Sequence, residues 1–152
     1  MTQPNQPVVG RTRHTELTID QIAEMQPGLG MLMPQIGDRY WVLYYAAKGG
    51  NWPLARHQLN EIRGLMRMGA LTRPRYADHL NAFINGHVAA IEKAIEQKDF
   101  GAFDAAYRRG VEAANRYHEL MNHAEIVWEL PDEAPKQLRL MPPKPSTSQG
   151  DR

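Results

Sequence analysis

Apolar positions recur at spacings of three and four residues over most of the chain, which is the period of an α-helix with one buried face. This pattern predicts four main helices. The first covers Met33 to Lys48, with Pro34 in its first turn and Gly49-Gly50 after its end. Trp41 and Tyr45 lie off its main stripe, so this helix is apolar almost all the way round. Such a helix packs on two sides, and we therefore predict a homodimer through Met33–Lys48.

The other three predicted helices each carry a single apolar stripe and begin with a capping residue. Asn51 precedes the second helix, Thr72 the third and Asp99 the fourth. The connections are short, which favours antiparallel neighbours. The sequence therefore predicts an all-α fold, an antiparallel up-down four-helix bundle over residues 17–131. A short N-terminal helix or extended arm is expected around residues 17–25, ahead of the four main helices, and no segment alternates long enough to predict a strand.

Both ends of the chain differ in composition from the helical region. Most of the prolines lie outside residues 17–130, and the chain closes on Pro142-Pro143-Lys144-Pro145 followed by serine and threonine. Such stretches cannot bury a core. We predict a flexible arm over residues 1–16 and a proline-rich flexible tail over residues 132–152.

Composition excludes several kinds of partner and chemistry. Lys and Arg number 18 against 17 Asp and Glu, so no clustered basic charge favours nucleic acid. No apolar run is long enough for a membrane helix, and the first ten residues lack the features of a secretory signal, which predicts a cytoplasmic protein without membrane contact. The chain has no cysteine, which excludes disulfides, iron–sulfur clusters and thiolate zinc sites.

The six histidines and the tyrosines are the candidate functional groups. No histidine has a glutamate three positions before it, so the di-iron pattern of helical bundles is missing and no metal site is predicted. His87 falls in the apolar stripe of the third helix, where it is either a core residue or part of a pocket wall. The tyrosines and tryptophans are numerous for so small a bundle. They are expected to form an ordinary hydrophobic core, to line an internal cavity or to lie at an interface.

Several short segments, in order and spacing, resemble small bacterial four-helix cytochromes c, which share the architecture of the cytochrome c-prime group. The resemblance covers about residues 25 to 131. It rests on Pro27-Gly28-Leu29-Gly30-Met31-Leu32-Met33-Pro34, Tyr44-Tyr45-Ala46-Ala47-Lys48-Gly49-Gly50-Asn51-Trp52, Leu59-Asn60-Glu61-Ile62, Lys98-Asp99-Phe100 with Phe103 and Tyr107, and Asn115 to His118.

In that family the fourth helix ends with Cys-x-x-Cys-His, which attaches haem through two thioethers and ligates the iron through histidine. The matching stretch here has Ala114 and Tyr117 at the cysteine positions and retains His118. The resemblance thus implies a haem pocket whose covalent anchors are missing.

We therefore expect a haem-free, cytochrome c-like bundle that binds a small apolar or aromatic molecule in the vacated pocket, with no resident cofactor. The expected ligand-binding residues are Met33, Tyr40, Tyr44, His87, Tyr107, Ala114 and Arg116. One alternative is a small cofactor-independent enzyme, an isomerase, lyase or hydratase, with His118 and Tyr117 as catalytic residues. The others are an accessory subunit of a larger enzyme and a protein that holds haem non-covalently through His118.

Overall fold

The structure is a computed structural model that describes residues 8–144. The outermost parts of the two predicted flexible ends, residues 1–7 and 145–152, lie outside the described residues. The described chain is mostly helical, with one small two-stranded sheet, which agrees with the all-α class. In a search of these residues, every helix proved too short or too polar to cross a membrane.

The N-terminal part forms a hairpin followed by a short helix. Strand β1 (Val9–Arg11) pairs antiparallel with β2 (Glu16–Thr18), so the described part of the predicted arm contains a strand. Each strand has three residues, too few for an alternating pattern to be recognised in the sequence. Helix α1 (Ile19–Glu24) begins at a capping box, in which the Thr18 hydroxyl accepts from the Gln21 backbone and the Gln21 side chain accepts from the Thr18 backbone.

Helices α2 (Leu29–Lys48) and α3 (Trp52–Thr72) form the first long hairpin. Helix α2 begins at Gly28, earlier than predicted, so Pro34 lies inside the helix rather than in its first turn. The predicted cap of α3 is confirmed, because the Asn51 side chain accepts a hydrogen bond from the Leu54 backbone at 3.2 Å.

The third predicted helix is divided into four pieces, and its predicted cap is wrong, because Thr72 is the last residue of α3 and no side chain caps the turn that follows. A 3₁₀ turn (Pro74–Tyr76) leads into α4 (Ala77–Phe83), a π-helical turn (Ile84–Val88) and α5 (Ala89–Gln97). A π turn shifts all later side chains around the axis, so the continuous stripe predicted for this helix is interrupted. Helix α6 (Phe100–Leu120) follows, with Asp99 as the predicted N-cap accepting from the Ala102 backbone at 3.0 Å.

Aromatic side chains hold the long helices together. The Tyr107 hydroxyl on α6 donates to the Tyr40 carbonyl oxygen on α2 at 2.8 Å, and the two rings stack with centroids 4.4 Å apart. On the opposite side, Arg63 of α3 and Glu92 of α5 form an ion pair at 2.6 Å. The largest fully buried side chains are Tyr107, Phe103, Leu32, Leu43, Leu59, Ile62, Ile91 and Val88.

The segment after α6 returns along α2. The Tyr45 hydroxyl lies 2.7 Å from the Pro131 carbonyl oxygen, and the Trp41 indole donates to the Glu133 carbonyl oxygen at 2.8 Å. Further along, the Asn51 side chain donates to the Met141 carbonyl oxygen at 3.3 Å. The second apolar face of α2 is therefore covered by the same chain. That face does not require a second subunit, and the homodimer stays a prediction.

Candidate functional site

A cavity of about 840 Å³ lies beside the N-terminal half of α2. Its other walls come from α4, the C-terminal half of α6 and the segment that follows α6. Most of the wall is hydrocarbon or thioether, which favours an apolar occupant. These apolar residues are Leu29, Met33, Pro34, Ile36, Met66, Leu80, Phe83, Val111, Ala114, Met121 and Ile126.

His118, in the last turn of α6, is the cavity histidine whose ring is fixed by the backbone. Its Nδ1 lies 2.9 Å from the Ile126 carbonyl oxygen. Because a carbonyl oxygen only accepts, Nδ1 carries the proton in this contact. In the neutral ring, Nε2 is then the nitrogen with a free lone pair. This arrangement orients a histidine toward one tautomer, as a backbone carbonyl does for metal-bound histidines.

Trp128 lies on one side of the cavity and is fixed by Asn115. The Asn115 side chain accepts from the Trp128 backbone N–H at 2.9 Å and donates to its carbonyl oxygen at 3.0 Å. The indole packs over Gly37 of α2, where a Cβ atom would lie 2.9 Å from the indole nitrogen. The glycine thus allows the indole to pack directly on the helix backbone.

Tyr40 carries a buried hydroxyl in the cavity wall. The side chain is 6% exposed, and its hydroxyl has no hydrogen-bond partner among the described residues. Burial raises the pKa of this phenol well above its usual value, so the hydroxyl stays protonated. An unpaired buried hydroxyl is costly, and this one is sealed from the cavity because it rests against Gly110 of α6.

Polar and charged side chains stand around the rest of the wall. Arg73 lies near the start of α2, and His79 lies on α4. Asp38 lies further along α2. The His79 and Tyr117 rings pack against each other with centroids 5.1 Å apart. His123 is also in the wall and contacts Glu125 through Nδ1 at 3.1 Å.

The cavity brings together five of the nine predicted site residues. Both predicted catalytic residues, Tyr117 and His118, contribute to its wall, together with Met33, Tyr40 and Ala114. They come from only two helices, α2 and α6, whose apolar stripes face the same space.

The other four predicted site residues lie outside the cavity wall. Tyr107 is in the core beneath it, with its hydroxyl bonded to the Tyr40 backbone. Tyr44 is one turn further along α2 and donates to Asp104 at 2.8 Å. His87 packs beside Phe83, with ring centroids 5.1 Å apart, and Arg116 is exposed on α6. Tyr44 and Tyr107 share the stripes of Tyr40 and Ala114 but lie outside the stretch of each helix that lines the cavity. Arg116 is on the exposed face of α6, and His87 lies in the π-helical turn.

Desolvation and neighbouring charges shift the pKa values of Tyr44, of its partner Asp104 and of His87. Burial, then the hydrogen bond to Asp104, raises the pKa of Tyr44. The Arg108 hydrogen bond lowers the pKa of Asp104. Burial, reinforced by the positive charge of Arg116, lowers the pKa of His87. Tyr44 and Asp104 belong to a network with Arg108, His87 packs against Phe83, and none of the three shifted groups lines the cavity.

The sequence prediction missed several residues of the wall. Trp128 lies beyond the last helix, where no periodic pattern marks its direction. Phe83 and Leu80 belonged to a recognised apolar stripe, so their burial was predicted but their contact with a cavity was not. Arg73 is brought to the start of α2, and His79 to Tyr117 of α6, by tertiary packing alone, and the sequence gives no signal for either contact.

Among residues 8–144, no group of three or more His, Asp or Glu side chains is arranged to hold a metal ion. No family model matches the chain, and no similar curated protein or solved structure was found.

Proposed function

We propose that this protein binds a small apolar or aromatic molecule in the cavity beside α2, within an antiparallel up-down four-helix bundle of the cytochrome c-like kind. The observation that carries the proposal is the cavity itself. Its volume of about 840 Å³ lies within the range of ordinary ligand sites, about 300–1,000 Å³. Its wall is mainly apolar and has a few polar groups, which is the composition typical of such sites.

One polar group of the wall is suited to orient the occupant. His118 offers Nε2 as an acceptor, because Nδ1 is engaged by the Ile126 carbonyl. An apolar ligand with one hydroxyl group would satisfy this nitrogen without leaving the apolar wall. The Tyr40 hydroxyl is sealed from the cavity and takes no part in this contact.

The test is ligand binding measured by thermal unfolding and calorimetry, with naphthalene and decanol as neutral apolar probes. We expect both to raise the unfolding temperature in a dose-dependent way, since a ligand of the native state stabilises it by mass action. Ala114→Phe should fill the cavity and abolish the shift. Ala105→Phe, at an exposed position of the same helix, is the matched control. The absence of a shift with both probes, or full binding by Ala114→Phe, would overturn the proposal.

Non-covalent haem is the second candidate, and one specific observation favours it. His118 lies in the wall of a large cavity with its Nδ1 held by a carbonyl, so that Nε2 would be the nitrogen that could ligate the iron. Bound haem would supply an iron centre for electron transfer or for binding a small gas. The protein would contribute His118 as the ligand and the apolar wall as the water-excluding shell. Covalent attachment is excluded because the chain has no cysteine.

Absorption spectroscopy decides between the two candidates. Titration with haemin should give a sharp Soret band that His118→Ala abolishes and that His57→Ala, at an exposed position of α3, leaves intact. A broad band that is equal in both variants would mean nonspecific adsorption and would leave the apolar ligand as the function.

A further inference from the structure

One end of the cavity concentrates positive charge. Arg73 follows the end of α3 and lies in the cavity wall next to Gly28, the N-cap of α2. A Cβ atom on Gly28 would lie 2.6 Å from a terminal nitrogen of the Arg73 guanidinium, so that group rests directly on the glycine. Only a glycine lets the guanidinium approach the helix start this closely.

The two loops that form this end are tied together. The Thr72 hydroxyl donates to the Pro27 carbonyl oxygen at 2.8 Å, which holds the end of α3 against the start of α2. Arg73 also donates one hydrogen bond to the Thr72 carbonyl oxygen at 2.8 Å. The guanidinium is therefore positioned by its surroundings, while its remaining N–H groups have no acceptor among the side chains and loops described.

This placement brings two sources of positive potential to one point, at an exposed end of the cavity. The N-terminus of a helix carries partial positive charge, and Gly28 provides no side chain to cap the first N–H groups. A guanidinium at the same point adds a like charge. Within residues 8–144, no carboxylate lies within ion-pair distance of Arg73. An anion bound between the guanidinium and the helix start would be attracted by both of them.

The rest of the cavity fits an apolar body rather than a free inorganic anion. The wall follows α2 from Leu29 to Tyr40, a stretch of about 16 Å at 1.5 Å per residue. Tyr40, at the far end, holds the buried hydroxyl without a partner. Asp38, the acidic residue in the wall, also lies toward that far end, away from Arg73.

We propose that the ligand is an amphiphilic carboxylic acid whose carboxylate binds Arg73 and the start of α2 and whose apolar part fills the cavity. The inference rests on the proposed function, because it needs an open apolar cavity, and it adds the chemical class of the ligand. Arg73 would bind the carboxylate of the ligand directly. Gly28 acts as a positioning residue, since it allows the guanidinium to approach the helix.

The experiment compares decanoate with decanol, which share an alkyl chain and differ in charge, by calorimetry on the full chain. We expect the wild type to bind decanoate more tightly than decanol. Arg73→Gln should weaken decanoate binding by about fivefold or more and change decanol binding by less than about twofold, since only the charged contact is lost. Arg75→Gln replaces an arginine outside the cavity wall and should leave both affinities unchanged.

Gly28→Ala supplies an independent check on positioning, because its methyl group would displace the guanidinium. It should weaken decanoate binding and spare decanol. Added salt should reduce the preference for decanoate in the wild type, as expected for a contact at the open end of the cavity. Equal binding of the two probes, or a preference for decanoate that survives in Arg73→Gln, would overturn the carboxylate inference and leave the apolar site standing. Failure of both probes to bind would overturn the proposed function itself.

Discussion

The Asn115 side chain makes paired hydrogen bonds to the backbone of Trp128, one donated and one accepted, at 3.0 and 2.9 Å. These two bonds fix the segment after α6 at the point where it closes the cavity. The paired geometry resembles one rung of a sheet ladder, with a side-chain amide in place of a second strand. Ile126, two residues earlier, is held by the His118 ring at 2.9 Å.

Asn115→Ala should therefore release the segment from α6. We expect a loss of about 1–3 kcal/mol in the free energy of unfolding, because the backbone groups of Trp128 lose partners in a half-buried place. Trp128 should also become more accessible to acrylamide, as measured by fluorescence quenching. Asn81→Ala, at an exposed position of α4, is the control and should change both quantities little. Equal quenching in the two variants would show that Asn115 does not hold the segment.

Two of the three predicted helix caps form, because a cap depends mainly on neighbours in sequence, whereas the Thr72 hydroxyl donates to the distant Pro27 carbonyl oxygen instead. Asn51 and Asp99 both accept the predicted hydrogen bond, at 3.2 and 3.0 Å, from the backbone N–H three residues later. The paths of Arg73 and Trp128 were not predictable in the same way. Their positions depend on bonds between distant segments, such as Thr72 to Pro27, that leave no periodic pattern.

The candidate site was predictable to the extent that it lies on regular helices. Ala114 and His118 are four residues apart on α6, so one face brings them together, and both line the cavity. Tyr44 shares a stripe with Tyr40 on α2 but reaches the Asp104 network one turn later. The stripe defines which face is buried, and the ends of the cavity along the helix depend on the loops that close it.

Removing the hydroxyl group from each of the two stacked tyrosines, Tyr107 and Tyr40, should have different effects on the stability of the protein. Tyr107→Phe removes a buried hydrogen bond of 2.8 Å to the Tyr40 carbonyl. We expect it to lower the free energy of unfolding by about 0.5–1.5 kcal/mol. Tyr40→Phe removes a buried hydroxyl without a partner in the described chain and should be neutral or stabilising. Urea unfolding of both variants checks the signs. Comparable destabilisation by Tyr40→Phe would mean that its hydroxyl has a partner, such as a buried water.

Gly110 is the residue of α6 on which the Tyr40 hydroxyl rests. A Cβ atom there would contact that hydroxyl and would lie 3.7 Å from the Phe83 ring. Gly110→Ala should therefore destabilise the protein by about 1–3 kcal/mol through overpacking. In a Tyr40→Phe background the clashing atom is gone, and the cost should largely disappear. Gly64→Ala, at an open position of α3, should instead stabilise by about 0.5–1 kcal/mol. If the stability changes of Gly110→Ala and Tyr40→Phe simply add in the double variant, the two residues are not in the contact described.

His87 should make the protein less stable as the pH falls. Its pKa in the folded protein is lowered from 6.5, first by burial and then by the charge of Arg116. Below pH 6.5 the unfolded chain therefore binds a proton at this position more readily than the folded chain does. Stability is lost from that pH down to the folded pKa and is constant again below it. His87→Gln removes this term, so the difference in free energy of unfolding between wild type and variant should change over that range. Titration of the His87 ring by NMR measures the same quantity directly, and a pKa at or above 6.5 would contradict the prediction.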